Sequence, residues 1–531
     1  MIGPSGCGKT TLVKAMLGLV PVDSDGEVWL DQDRITRAED LLGRVGFAPQ
    51  FSIAQPKLTV EECLRYALDL CVSDESVRVE RLERVLGVIG LAEHRHKRVE
   101  SLSGGQLRRL GLGLELTVDP PTLICDEVTS GLDPLSETII LDLLRGLVRE
   151  RGKTIVCIIH NLAKLTSFDW ITVVYSGEVV FQGDNATLLK HFGVTDALRL
   201  YDALNAHPVA YWRERWAEAQ AGAGHSDEER AGEQTAATPA QGRTQPPGAL
   251  SQFKTLLHRR MRLFLRDNGY LSLVLAITFG FPVMVVIFAL GGLPQISSPS
   301  LEPQGSSPEA MMAIVAYGKE SVHTASLVTG LIMFQVILLT LMGANNGARE
   351  IAAERLLYEK ERLTGLRPEA YTASKLFFTG VLAAFQGAWM TAFVKVVCAF
   401  PGPWITQTVI FSLSCVAMTW VCVAFSAMLA SPEKASTLSI YLVGFQLPLS
   451  GVVLALPSYL VWVCRPFINA YWGWAGYFSS MEQTRLYDAY TYTNPETLVA
   501  SPTVAAAVLL LHALIGAGVV YWGCQQRRWN A

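Results

Sequence analysis

Charges recur every few positions through residues 1–250, with short apolar runs between them, whereas residues 270–525 carry several unbroken apolar stretches. The first pattern predicts a soluble domain in which brief β-branched runs, Thr122–Cys125 and Thr154–Ile159, form buried strands between helices. Leu, Glu and Arg at helical spacing over residues 55–115 predict a helical subdomain. The second pattern predicts helices of the ~20-residue length that crosses a hydrocarbon core. Six are expected, at 270–291, 324–346, 373–398, 405–430, 436–456 and 503–524. Between the halves, Ala217–Gly248 is Ala, Gly, Gln, Glu, Thr and Pro, too poor in large apolar residues to offset the cost of ordering. The chain thus divides into a soluble domain over 1–205, a disordered linker over 206–250 and a membrane domain over 251–531.

A length of 531 residues allows two or more folded units. The net charge of −4 offers no case for nucleic-acid binding. Ten cysteines without CxxC pairs or metal spacing read as reduced, mostly buried thiols. No cleavable signal opens the chain, so the first span is expected to direct insertion and leave the N-terminal half in the cytoplasm. Arg349, Arg355, Lys360, Arg362 and Arg367 crowd the loop after the second span, and Arg527-Arg528 follow the last. By the positive-inside rule both termini are cytoplasmic, in a multi-pass protein of the plasma (inner) membrane. Phe253–Phe264 is basic and amphipathic, expected at the cytoplasmic membrane surface, with packing on the soluble domain as the alternative. The charged stretch Arg349–Arg362 reads as a helix docked on the soluble domain, or as a plain solvated helix. The aromatic-rich segment Tyr459–Tyr487 is expected at the outer headgroup level. Gln335 and Asn345 are polar positions in span two that read as helix–helix contacts or as cavity-facing groups. Lys395 is expected to snorkel outward.

The chemistry begins at Gly3-Pro4-Ser5-Gly6-Cys7-Gly8-Lys9-Thr10, which fits GxxxxGK[ST]. Glycines let the backbone curl so that successive N–H groups meet phosphate oxygens, and the helix from Thr11 adds its positive end. Lys9 is placed for the β- and γ-phosphates and the Thr10 hydroxyl for Mg²⁺. Met1-Ile2 leads directly into this loop, although a P-loop normally hangs from a buried strand. The expectation is a mis-assigned start or a fragment lacking N-terminal strands, with a degraded protein as the remaining reading. The strand ending in Asp126-Glu127 delivers one carboxylate for Mg²⁺ and one for use as general base on water. His160 closes the next strand as a γ-phosphate sensor, and Ser130–Asp133 forms a tight turn. Leu102-Ser103-Gly104-Gly105-Gln106 opens a helix with a second anion-binding end.

This ordered set resembles the ATP-binding cassette family, and Leu102–Gln106 matches that family's signature in all five positions. The resemblance implies an α/β P-loop NTPase with a RecA-like core and a helical subdomain, followed by an all-α six-helix membrane domain. It implies that Ser103, Gly104, Gly105 and Gln106 of one subunit close on ATP held by Gly3–Thr11 of another. Gly46–Gln50 is similar to the family's Q-loop, so Gln50 is expected to meet Mg²⁺ and the attacking water. Two features depart from the pattern: no adenine-stacking aromatic is assignable ahead of the loop, and Val128 stands where many members have proline. The order of domains is similar to the G subfamily of half-transporters and bacterial relatives with ABC-2-type permease domains.

The expected function is therefore ATP- and Mg²⁺-dependent export of a hydrophobic or amphipathic compound by a homodimer or heterodimer. The alternative is a membrane-anchored ATP-binding regulator or inactive partner subunit. A soluble ATPase of DNA repair or translation is excluded by the spans, and import is disfavoured by analogy with importers built from separate chains.

Overall fold

A computed structural model describes residues 1–20, 26–30, 32–35, 38–222, 246–297, 305–452, 457–494 and 499–526. The chain forms two compact units. One comprises Met1–Thr255 together with Leu356–Arg367; the other comprises Leu256–Arg355 and Pro368–Arg527.

In the first unit, strands β1 (Val28–Leu30) and β2 (Asp33–Ile35) make a hairpin. β3 (Val45–Ala48), β4 (Thr122–Asp126) and β5 (Thr154–Ile158) run parallel, with Ala48 opposite Cys125 and Asp126 opposite Ile158. β4 lies in the middle, and its Leu123, Ile124 and Cys125 are buried, which is why that segment reads as an unbroken apolar run. Met1 and Ile2 occupy the strand position beside β5: the Ile159 N–H donates to Met1 O at 3.2 Å. Ile2 in turn bridges Val173 of β6 (Ile171–Tyr175), which pairs antiparallel with β7 (Glu178–Gly183). The glycine loop therefore does leave a strand position, as the chemistry of phosphate binding requires.

The helical subdomain holds Val60–Cys71, Glu75–Val88 and Gly104–Leu116. Thr59 and Glu62 form a capping box on the first of these, and Ser103 and Gln106 form one on the third. Part of the expected linker is ordered. Val209–Gly222 is a helix whose buried Trp212 donates to Leu204 O at 3.1 Å, because aromatic residues there find Phe192 and His191 to pack on. Residues 223–245 of the linker lie outside the described residues. The basic helix runs Ala249–Arg266. Its first turns belong to this unit, where Gln252 donates to Leu70 O and Gly365 O and accepts from Arg367 N. The docked alternative thus holds for that end.

In the second unit, five helical segments among the described residues are long and apolar enough to cross a membrane. They are Asn268–Ile296, Pro308–Leu363 (whose last turns fall in the first unit), Pro368–Cys398, Trp404–Met428 and Pro502–Gln525. The other expected span, 436–456, coincides with the helix Pro432–Leu449. It opens on Glu433 and Lys434, carries the buried Gln446 and is not one of the five; residues 453–456 lie outside the described residues. Helices approach closely where side chains vanish: a Cβ on Gly347 would stand 2.4 Å from Thr419 O. One sequence expectation is corrected here and two are refined. Lys395 is buried rather than snorkelling, donating to Gln407 Oε1 at 2.6 Å and Gly402 O at 2.8 Å, so its charge is met by protein oxygens. Gln335 is fully buried and donates to Leu331 O of its own helix, while Asn345 is only partly buried. The aromatics of 459–487 divide: Tyr459 and Trp462 are exposed, but Trp474, Tyr477 and Phe478 on the helix Asn469–Ser479 are buried in the protein core.

Candidate functional site

Parallel strands present their C-terminal ends on one edge, and open α/β sheets bind ligands there. The expected phosphate-loop, metal and catalytic residues gather on that edge. Gly3–Thr10 follows Ile2, Gln50 stands two residues beyond β3, Asp126 ends β4 and His160 stands two residues beyond β5.

The loop is shaped by its glycines. A Cβ on Gly3 would fall 2.1 Å from Val174 O, and Gly8 takes φ of 96° immediately before the helix Lys9–Met16. The helix thus starts at Lys9, earlier than the Thr11 expected, and Thr11 lies within its first turn. Lys9 is buried, with its ammonium 2.9 Å from both Gly3 O and Pro4 O and 3.6 Å from Cys7 Sγ. Its charge is thereby held inside the curl that Pro4, Ser5 and Gly6 form.

Thr10 Oγ1 donates to Asp126 Oδ1 at 3.0 Å, pairing two of the three expected metal ligands. Burial raises the Asp126 pKa, the adjacent Glu127 charge adds to this, and the Thr10 hydrogen bond opposes it. Glu127 takes φ of 52°, a left-handed conformation that costs a non-glycine residue about 1–3 kcal/mol. Its N–H still donates to Ile158 O, so the turn occurs at the last rung of the sheet. The side chain is held at both oxygens: Gln50 Nε2 donates to Oε2 at 2.9 Å, and His160 Nε2 lies 2.5 Å from Oε1. Gln50 and His160, each just beyond a strand end, therefore converge on the carboxylate of Glu127 at a third. Beside them a cavity of about 320 Å³ is lined by Glu127, Ser130, Gly131, Leu132, His160 and Asn161.

The signature segment is not joined to this cluster. Its helix begins at Gly104, with the Ser103 side chain accepting from Gln106 N and Gln106 Oε1 accepting from Ser103 N. A Cβ on Gly105 would stand 2.7 Å from Ser136 Oγ, on the helix that Asp133 caps. Among the described residues no hydrogen bond or ion pair links Leu102–Gln106 to Gly3–Thr10. Val128 is buried.

Two residues of this neighbourhood escaped the sequence reading. Arg108, on the signature helix, donates to Gln50 O. Glu115, further along it, accepts from Phe47 N of β3 at 3.2 Å. The signal for Glu115 was a lone acid in the apolar run Leu110–Leu116; Arg108 gave none, since an arginine on a soluble helix is ordinary.

Residues 1–130 match the family model of the ABC transporter, and residues 251–479 match that of the ABC-2 type transporter. Over 516 residues the chain is 27% identical to the ABC transporter ATP-binding/permease protein Rv1747 of Mycobacterium tuberculosis, covering 92% of this chain and 54% of that protein. It is 31% identical over 221 residues to ABC transporter G family member 26 of Arabidopsis thaliana, covering 40% of this chain and 31% of that one. It is 36% identical over 190 residues to the methionine import ATP-binding protein MetN of Rhizobium etli, covering 34% and 52% respectively. The chain thus spans about half or less of the length of these relatives. The geometry of the site and the two family matches agree: a glycine loop, a signature helix and a clamped carboxylate stand on a chain that continues into apolar helices. The chain belongs to the ATP-binding cassette transporters, as a nucleotide-binding domain fused to an ABC-2-type membrane domain.

Proposed function

We propose that this protein hydrolyses ATP to drive export of a hydrophobic or amphipathic compound, as a dimer of half-transporters in the plasma (inner) membrane with both termini cytoplasmic. The single observation that carries the hydrolytic part is Glu127 held between Gln50 and His160 at the edge where Lys9 and Thr10 wait for phosphate.

Gly3, Pro4, Ser5, Gly6, Cys7, Gly8, Lys9, Thr10 and Thr11 wrap the phosphates, and Lys9 exchanges its carbonyl partners for phosphate oxygens. Thr10, Gln50 and Asp126 offer hard oxygen atoms with a single carboxylate among them, a donor set that fits Mg²⁺ arriving with the triphosphate. When bound there, the metal would neutralise the charge that develops on the phosphates. Glu127 takes the proton of the attacking water, whose oxygen bonds to the γ-phosphorus as the bond to the β-γ bridging oxygen breaks. His160 holds Glu127 in register before the reaction and donates to the γ-phosphate as charge develops.

Ser103, Gly104, Gly105 and Gln106 act on the nucleotide of a second subunit. Their separation from Gly3–Thr10 within one chain supports that reading, because the capped helix end would otherwise have no anion to meet. ATP binding draws two nucleotide-binding domains together, and hydrolysis releases them. The test is Mg²⁺-dependent phosphate release by the purified protein in detergent. Turnover that disappears in Glu127→Gln, with ATP binding retained, supports the proposal; binding without turnover in the unsubstituted protein favours the membrane-anchored regulator instead.

A further inference from the structure

Glu115 has two partners inside the first unit. Its Oε2 accepts from Phe47 N at 3.2 Å. Its Oε1 lies 2.8 Å from Lys360 Nζ, in an ion pair whose side chains are 3% and 6% exposed. Phe47 belongs to β3, the outer strand of the β3-β4-β5 sheet, and Gln50 follows three residues on. Lys360 belongs to Leu356–Arg367, which the chain enters from Arg355 and leaves to Pro368, both in the membrane unit. One carboxylate therefore touches the strand that carries Gln50 and the short segment interposed between two membrane helices.

The rest of the helix Gly104–Leu116 reinforces the contact. Arg108 donates to Gln50 O, and a Cβ on Gly111 would stand 2.9 Å from Ser52 Oγ. Positions 108, 111 and 115 share one helix face. That face grips β3 and the residues after it at three successive points, and the N-terminus of the same helix presents Ser103–Gln106.

We infer that Glu115 is the positioning residue through which Lys360 of the interposed segment sets the place of Gln50, and with it the hold on Glu127. The inference rests on the ATPase reading above. A buried carboxylate deprived of its counter-charge turns to water or takes up a proton, and in either case loosens its hold on the Phe47 N–H. Gln50 then loses its fixed distance to Glu127, while Lys9 and the glycine loop, on a different strand, are untouched.

The test uses the full chain in detergent with ATP and Mg²⁺. Lys360→Met is expected to lower kcat per folded molecule by about tenfold or more with KM for ATP nearly constant, the split that marks lost positioning. Lys360→Arg, which keeps the charge, is expected to retain most of kcat. Exchanging the pair (K360E with E115K) separates two explanations. A merely stabilising ion pair is restored by the exchange, whereas the joint is not, because an ammonium has no lone pair for Phe47 N–H. Hydrogen exchange gives a readout free of turnover: the peptide spanning residues 45–52 is expected to exchange faster in Lys360→Met. Unchanged kcat and unchanged exchange in Lys360→Met, or full recovery of kcat in the exchanged pair, overturns the inference. If the unsubstituted chain has no turnover at all, the ATPase reading fails, and the exchange measurement alone then decides the Lys360–Glu115–Phe47 linkage.

Discussion

His160 Nε2 lies 2.5 Å from Glu127 Oε1, while the other oxygen of the same carboxylate takes the Gln50 amide at 2.9 Å. On the proposed reading, a carboxylate held at both oxygens is oriented as the base before water arrives, and this offsets the cost of its left-handed backbone. Glu127→Gln is expected to reduce kcat by about 10²–10⁴-fold, the contribution of a positioned general base. His160→Ala is expected to cost about 10²-fold, as for loss of one oriented donor. Phosphate release measures both, and equilibrium binding of ATP should survive in each.

Thr10→Val is expected to separate binding from metal use. Asp126 loses its hydroxyl partner, and on the proposed reading the metal loses a ligand while Lys9 still meets the phosphates. Titration of turnover with Mg²⁺ should show a half-saturation point displaced to higher concentration, with ATP affinity in the absence of metal little changed.

The positions of these groups were legible in the sequence because phosphate chemistry demands particular residues at strand ends. Gly3–Thr10, Asp126, Glu127 and His160 could be placed by the apolar runs before them. What the membrane half does with its polar residues was not legible. Lys395 looks the same in sequence whether it reaches outward or caps Gly402 O and Gln407. Asn346, Gln386 and Thr278 form a buried hydrogen-bonded chain across three helices, and no local pattern marks which polar residues meet. Arg355 counts toward a positive loop, yet it is buried and donates to Gly523 O near the end of the last span, where a cation offsets unpaired carbonyls. The partners of Gln386 and Arg355 lie 40 to 168 residues away, so periodicity cannot reveal them.

Trp212 ties the helix Val209–Gly222 to the rest of the first unit through Leu204 O and the ring of Phe192, at 4.8 Å between centroids. Trp212→Ala is expected to destabilise this helix by about 3–5 kcal/mol, the usual cost of deleting a buried large aromatic. Limited proteolysis should then cut within residues 206–222 at protease concentrations that leave the unsubstituted protein intact.

The same cluster carries a pH dependence. Burial lowers the His191 pKa below its ordinary 6.5, the nearby Arg215 charge lowers it further, and a hydrogen bond with the Val180 backbone acts the other way. Below about 6.5 the unfolded segment binds a proton that the folded one resists, so its stability falls as pH falls. Proteolytic sensitivity of this region is expected to rise as pH drops from 7 toward 5, and His191→Phe should flatten that rise.

The central claim is that each nucleotide is gripped by Gly3–Thr11 of one chain and Ser103–Gln106 of another. Lys9→Ala and Ser103→Arg chains, each inactive alone, should be co-expressed with different tags and purified as the mixed pair. One of the two sites in that pair keeps both intact halves, so ATP turnover should reappear well above either parent. A mixed pair as inactive as its parents would contradict the shared site.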